Sequence, residues 1–150
     1  MRDEGNGLSR DLTVAVFVVR AGAVLLHPHA KLGIWLPPGG HVETLELPDD
    51  AATREVLEES GLTVELVGER GPHYAADEGS PRHLVRPRGL QLEQIGPGHE
   101  HLDLVYLARP LGDQREPTEP FRWLTAAQLD GVPLTGEVRA WCDLALRELT

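Results

Sequence analysis

Gly40–Leu62 reads GHVETLELPDDAATREVLEESGL, and the stretch from Pro48 to Ser60 within it predicts a helix. Pro48 suits the first turn, where its missing N–H is not needed. Asp49 and Asp50 complement the positive end of the helix dipole. Gly61 fits the left-handed residue that closes a helix, with Leu62 folding back on Leu57. At about 100° per residue, Glu55, Glu58 and Glu59 fall within one arc of about 100°. Arg54 stands four residues before Glu58 and can brace it. Ala51 and Ala52 lie a turn below the same arc, and their small side chains let another backbone approach.

Working outward, Leu12–Val19 (LTVAVFVV) is a nearly continuous apolar run rich in β-branched residues, which predicts a buried strand. Arg20-Ala21-Gly22 is a turn signal, and Ala23–Leu26 is the returning strand of a hairpin. Two prolines and two glycines break the chain at Ile34–Gly40, so no helix crosses it. Thr63–Val67, Leu102–Ala108 and Phe121–Leu124 predict further strands, Thr125–Asp130 a short helical turn, and Gly71–Gly89 a long polar loop. The last element, Gly136–Leu149, is an amphipathic helix with Val138, Trp141, Cys142, Ala145 and Leu149 on one face. Arg139, Asp143 and Arg147 form a charge ladder on another. Residues 1–10 read as a flexible polar leader and 11–150 as a single domain. This order predicts an α/β (α+β) fold with a mixed sheet between helices.

The 150 residues carry 14 basic and 24 acidic side chains, for a net charge of −10. That excess argues against a general nucleic-acid duplex binder or a binder of anionic membranes, both of which need a basic face. A single cysteine, no signal-peptide core and no apolar run of membrane-spanning length point to a cytoplasmic setting. Between Glu43 and Glu59 lie seven acids and one base, so −6 of the −10 sits in this window.

Carboxylates crowded on one arc repel one another by a few tenths of a kcal/mol per pair. A divalent cation removes that penalty, and Mg2+, Mn2+ or Ca2+ takes such oxygens. Mg2+ in particular uses few protein carboxylates and accepts phosphate oxygens from a substrate. The Gly39-Gly40 turn can bring a backbone carbonyl to the same ion, because no side chain blocks it. Taken alone, the helix face also reads as an ordinary solvated one.

The spacing decides between the two. Gly40, Glu46, Arg54, Glu55, Val56, Glu58, Glu59, Gly61 and Leu62 match the signature of the Nudix hydrolases, MutT-like proteins, at every fixed position. The chance of such a match at one start is on the order of 10⁻⁹. The approach Trp35-Leu36-Pro37-Pro38-Gly39-Gly40-His41-Val42-Glu43 also resembles the family. The resemblance implies an α/β/α sandwich and a Mg2+-dependent pyrophosphohydrolase, with Mn2+ as a substitute, acting on a nucleoside diphosphate linked to another group. It implies Glu55, Glu58 and Glu59 as metal ligands, the Gly40 carbonyl as a further ligand, Arg54 as their orienter, and Glu46 and Glu43 as supports of the loop or of an additional metal. The resemblance also makes Gly39 a candidate contact to the substrate. Many members have Gly just before the first motif glutamate, whereas this chain has Leu45, a departure that bears on the local turn. Glu55 itself or the distal Glu100 is the candidate base, with Glu93 behind them. A homodimer, common in the family, is a candidate assembly.

Other residues carry softer signals. Alternation places His99, His101 and Asp103 on one strand face. Lining the substrate pocket is the preferred role, over a second, transition-metal cluster. Arg82, His83, Arg86 and Arg88 form a basic cluster in the long loop, and Arg82 and Arg86 are candidate phosphate clamps. Trp35 is a candidate for stacking on a base. His27 and His29 read as solvated and Cys142 as core. A non-hydrolysing nucleotide-binding regulatory module is the alternative, which the intact motif disfavours. An isomerase of the isopentenyl diphosphate type would need a cysteine near the front half.

Overall fold

The computed structural model describes residues 2–3, 7–112 and 115–150. In chain order it contains β1 (Arg2–Asp3), β2 (Leu8–Arg20), β3 (Ala23–Pro28), β4 (Trp35–Leu36), β5 (Gly39–His41), α1 (Pro48–Ser60), β6 (Val64–Val67), β7 (Gly89–Gly96), β8 (His99–Pro110), β9 (Arg122–Thr125), α2 (Ala126–Leu129) and α3 (Gly136–Leu149).

Alternation along β2 divides the core in two. Val14, Val16 and Val18 join Ala51, Ala52 and Val56 of α1 on one side of the sheet. Phe17 and Val19 join Val138, Cys142 and Ala145 of α3 on the other. A strand covered on both faces needs apolar residues at every position, which is why this run shows no polar alternation. The sheet runs β4-β3-β2-β8-β6, with β5 also on β2, β7 on β8 and β9 on β3. β2 and β8 are parallel from Ser9↔His99 to Val18↔Ala108, while their other pairings are antiparallel. The result is the expected mixed sheet between helices.

Helix α1 has the expected bounds. Gly61 adopts φ +77°, and its N–H donates to the Leu57 carbonyl at 2.9 Å. Leu62 turns into the core cluster that holds Val56, whereas Leu57 stays 49% exposed. In the β2–β3 turn, Ala21 and Gly22 both have positive φ, the geometry that favours a tight hairpin.

Several strands go beyond the sequence reading, the short β4 and β5 among them. β2 begins at Leu8, so residues 8–10 belong to the sheet rather than to a leader, and Arg2–Asp3 pairs with its start. Met1 and residues 4–6 of that leader lie outside the described residues. β7 was not anticipated. As an outer strand on β8, it leaves Leu90 64% and Leu92 58% exposed, so its pattern lacks a buried apolar face. The long loop before it is anchored by buried Val85 and by the Arg86 N–H bond to the Glu69 carbonyl at 2.7 Å. No helix among the described residues is long and apolar enough to cross a membrane.

Candidate active site

Arg54 organises the acidic face of α1. Its Nε and Nη2 donate to the two oxygens of Glu46 at 2.6 and 2.9 Å. Nη1 donates to Glu55 and to Glu58, both at 3.0 Å, and Nη2 also reaches the His41 carbonyl at 3.0 Å. A planar fork suits this arrangement, because one rigid group aims several N–H donors in fixed directions. Hydrogen bonding to Arg54 holds the Glu46 carboxyl below its usual value, and Glu46 raises Arg54 in return. Glu46 also accepts the Glu43 N–H at 3.0 Å, so it locks the loop that leads into α1. Glu43 itself is exposed and 3.9 Å from Arg54.

The other two contacts of the acidic face are with β5. Glu59 accepts the Gly39 N–H at 2.8 Å. A Cβ on Gly40 would lie 2.5 Å from Glu55 Oε1, so the absence of a side chain is what lets Glu55 rest against this backbone. Gly39 is equally constrained, since its Cβ would meet the Val14 carbonyl at 2.2 Å. Burial, and then Glu55 and Glu58, push the Glu59 carboxyl up, against the Gly39 bond that lowers it. The donor set is therefore three carboxylates beside a glycine backbone. These are hard oxygens of the kind that hold Mg2+ or Mn2+.

The loop before α1 contains a strained residue. Leu45 adopts φ +66° and is 99% exposed. A left-handed conformation penalises any side chain with a Cβ, and no burial offsets it here. Leu45→Gly is expected to raise stability by about 0.5–1 kcal/mol, the residue of that penalty after glycine's extra chain entropy. A urea unfolding midpoint checks this. An unchanged or lower midpoint contradicts it.

A cleft of about 390 Å3 opens on the α3 side of the sheet, and Glu59, Gly39 and Gly40 reach it. His101 and Asp103 of β8, Glu93 of β7 and Glu137 of α3 line it as well. Thr13 Oγ1 donates to Asp103 at 2.8 Å, and burial raises the Asp103 carboxyl. His27 and His29, read as solvated, also line the cleft. His27 packs on the Phe121 ring at 4.7 Å, and burial lowers its pKa.

Several sequence candidates lie elsewhere. Trp35 packs against the α3-side core and does not line the cleft. Glu100 faces away from His99 and His101, and Arg10 donates to it at 2.6 and 3.2 Å. Arg86 pairs with Glu69 at 3.0 Å, and neither it nor Arg82 lines the cleft. Cys142 is buried in the core between α3 and the sheet, and burial pushes its thiol up to about 12, which leaves it unreactive. Sequence reasoning missed His41, which lines the cleft, and Asp11, whose Oδ2 lies 3.3 Å from His41 Nε2. His41 follows the motif glycine, and Asp11 stood at the assumed edge of the domain. The available signal was their place in strands β5 and β2.

A family model described as the NUDIX domain matches residues 9–142. The crystal structure of a NUDIX-family hydrolase from Clostridium perfringens superposes with a TM-score of 0.81 at 32% identity, covering 95% of this chain and all of that one. Two curated relatives from Danio rerio are similar over shorter stretches. An oxidized purine nucleoside triphosphate hydrolase is 44% identical over 63 residues. An m7GpppN-mRNA hydrolase, NUDT17, is 43% identical over 65 residues. Those stretches span 40% and 38% of this chain, and 40% and 22% of the relatives' own lengths.

Proposed function

Because the chain belongs to the NUDIX family, we propose that it hydrolyses the diphosphate bond of a nucleoside diphosphate carrying another group, with Mg2+ held by Glu55, Glu58, Glu59 and the Gly40 carbonyl. The observation that carries this reading is the meeting of Glu55 and Glu59 with the Gly39-Gly40 backbone at the mouth of a cleft. When bound, Mg2+ would supply charge neutralisation for the diphosphate and activation of water.

The chain's own residues do the rest. Arg54 fixes Glu55 and Glu58 by shared N–H donation, and the Gly39 N–H fixes Glu59. The cleft takes the nucleotide on the α3 side, beside His101. Water attacks one phosphorus in line, a new P–O bond forms, and the bridging P–O bond breaks. The water's proton passes to a carboxylate of α1. Glu100 is poorly suited to that task, because Arg10 engages its carboxylate and it does not line the cleft. A cytoplasmic setting accords with this reading, since the one thiol is free and buried.

The test is a substrate panel with product identification, including an oxidised purine nucleoside triphosphate, a cap analogue and nucleoside diphosphates linked to sugars. Mg2+-dependent release of nucleotide from at least one member, abolished by chelation, is expected. Turnover that persists without any divalent ion contradicts the proposal.

A further inference from the structure

We infer that Asp11, His41 and His101 form a second metal site, for a borderline divalent ion such as Zn2+ or Co2+, separate from the glutamates of α1. One ligand atom from each of the three lies within 4.8 Å of the others. The strand register explains why. Asp11 of β2 stands opposite His101 of β8, and His41 of β5 stands opposite Thr13, two residues along β2 from Asp11. All three side chains therefore share one face, and each comes from a different strand of one rigid sheet. A helix face can present carboxylates by chance of composition. This trio needs two pairings in register.

One ligand pair stands at the separation a bound ion requires, and the third ligand atom lies within 4.8 Å of both. Asp11 Oδ2 is 3.3 Å from His41 Nε2. Two ligands on a tetrahedral zinc, with bonds of about 2.0 Å, sit about 3.3 Å apart. The His41 and His101 rings meet edge to face, with centroids 5.1 Å apart. His99 supports the trio from outside. Its Nε2 is 3.4 Å from Asp11 Oδ2, and its Nδ1 is 2.7 Å from Ser9 Oγ. Such outer partners orient the ligands of metal sites.

The donor set separates this site from the first. Imidazole nitrogens suit Zn2+, Co2+ and Ni2+ and suit Mg2+ poorly. Three protein ligands leave a further coordination position open. His41 and His101 line the same cleft as Glu59, so that position is reachable by a group bound there. The sequence reading puts His99, His101 and Asp103 on one strand face and prefers pocket lining to such a cluster. The fold keeps His101, moves His99 to the support, and gives Asp103 to Thr13.

The test uses the full chain, stripped by chelation and titrated with Co2+ while its visible d–d bands are recorded. Zn2+ displacement follows by calorimetry. Outer-shell changes alone typically cost 10–100-fold in affinity, so Asp11→Asn, His41→Gln and His101→Gln are each expected to weaken Co2+ binding at least ~10-fold. The intense visible bands report this low-coordinate site alone, because Co2+ on the six-coordinate carboxylates of α1 absorbs only weakly, so Glu55→Gln and Glu59→Gln leave those bands unchanged while lowering Co2+ binding at α1. Far-UV circular dichroism checks that each variant folds. Independently of any variant, Zn2+ is expected to shift the His41 and His101 ring signals in nuclear magnetic resonance spectra of the unmodified chain. Equally intense visible Co2+ bands in the wild type and a His41→Gln/His101→Gln double variant, bands lost only in the glutamate variants, or unshifted ring signals would each overturn the site.

Discussion

Glu59→Gln is expected to move activity and stability in opposite directions. On the best substrate of the panel, kcat/KM should fall by about 10²–10³-fold, the range for deleting one preorganised electrostatic element. Metal-free at pH 7, the same variant should melt at a higher temperature than the wild type. The reason lies in what Glu59 faces before an ion arrives. Burial and the nearby Glu55 and Glu58 raise its carboxyl above the usual 4.5. A carboxyl raised on folding favours the folded chain fully only below its unfolded value, and that contribution is lost as pH rises through the raised one. Glutamine keeps an oxygen for the Gly39 N–H and carries no charge. The difference in melting temperature should therefore disappear below about pH 4, where the carboxyl is protonated in both states. Glu46 is shifted the other way, but it is present in both proteins and cancels in the comparison. Melting curves against pH in the presence of a chelator give the answer. A variant that is less stable at pH 7, or one that keeps full activity, contradicts the proposed role. Gly40→Ala provides a second approach without changing any charge. Its Cβ must displace Glu55, so activity should fall in the same range.

Arg54→Ala should be the most damaging change to the scaffold of the site. It removes the donor to Glu46, Glu55, Glu58 and the His41 carbonyl at once. Glu46 is only 15% exposed and Arg54 22%, so Glu46 would be left as a largely covered carboxylate without its cation. Breaking a fully buried pair costs 3–5 kcal/mol, and partial exposure reduces this to about 2 kcal/mol. The loss should be greatest near neutral pH and shrink as pH falls through the lowered value of Glu46, which is where the wild type gives up the same contribution. Activity should fall by about 10–100-fold, the usual cost of losing a group that orients ligands. Arg54→Lys restores the charge but not the fork, so it should recover part of the stability and little of the activity. Urea unfolding at several pH values, together with kinetics, measures both effects. A loss below ~0.5 kcal/mol with unchanged kinetics contradicts the organising role of Arg54.

Much of the fold was legible because local and tertiary signals agree. Pro48 and Gly61 bound α1 as their backbone preferences require, and the Val138–Cys142–Ala145 stripe marks the buried face of α3. The strand ends were less legible. Ser9-Arg10 looks like the end of a leader and Asp11 like the edge of the domain because all three are polar, yet they pair with His99-Glu100-His101. Polarity there reflects what these side chains do, since Asp11 and His101 meet near the cleft. Elements that break the apolar pattern at a site are the ones pattern reading truncates. β7 was missed for a related reason: an outer strand with exposed leucines offers no period to read.

The site divides in the same way. The motif gave the residues that a single helix and loop bring together, namely Arg54, Glu55, Glu58, Glu59, Glu46 and Gly40. It could not give the partners that arrive from other strands. His27, His41 and Asp103 reach the cleft through sheet register and His29 from the loop after β3, which the motif segment does not encode. Arg82 and Arg86 show the converse. Their chemistry suits phosphate, but the loop turns Arg86 toward Glu69.

On the proposed reading, the α1 glutamates hold the ion that drives diphosphate hydrolysis. Its most direct test is the rate of nucleotide release from the best panel substrate as free Mg2+ is varied, for the wild type and for Glu59→Gln at equal concentrations of folded protein. A saturating Mg2+ curve is expected for the wild type, and a rate that stays near background across that range for the variant. Superimposable curves for the two proteins would contradict it.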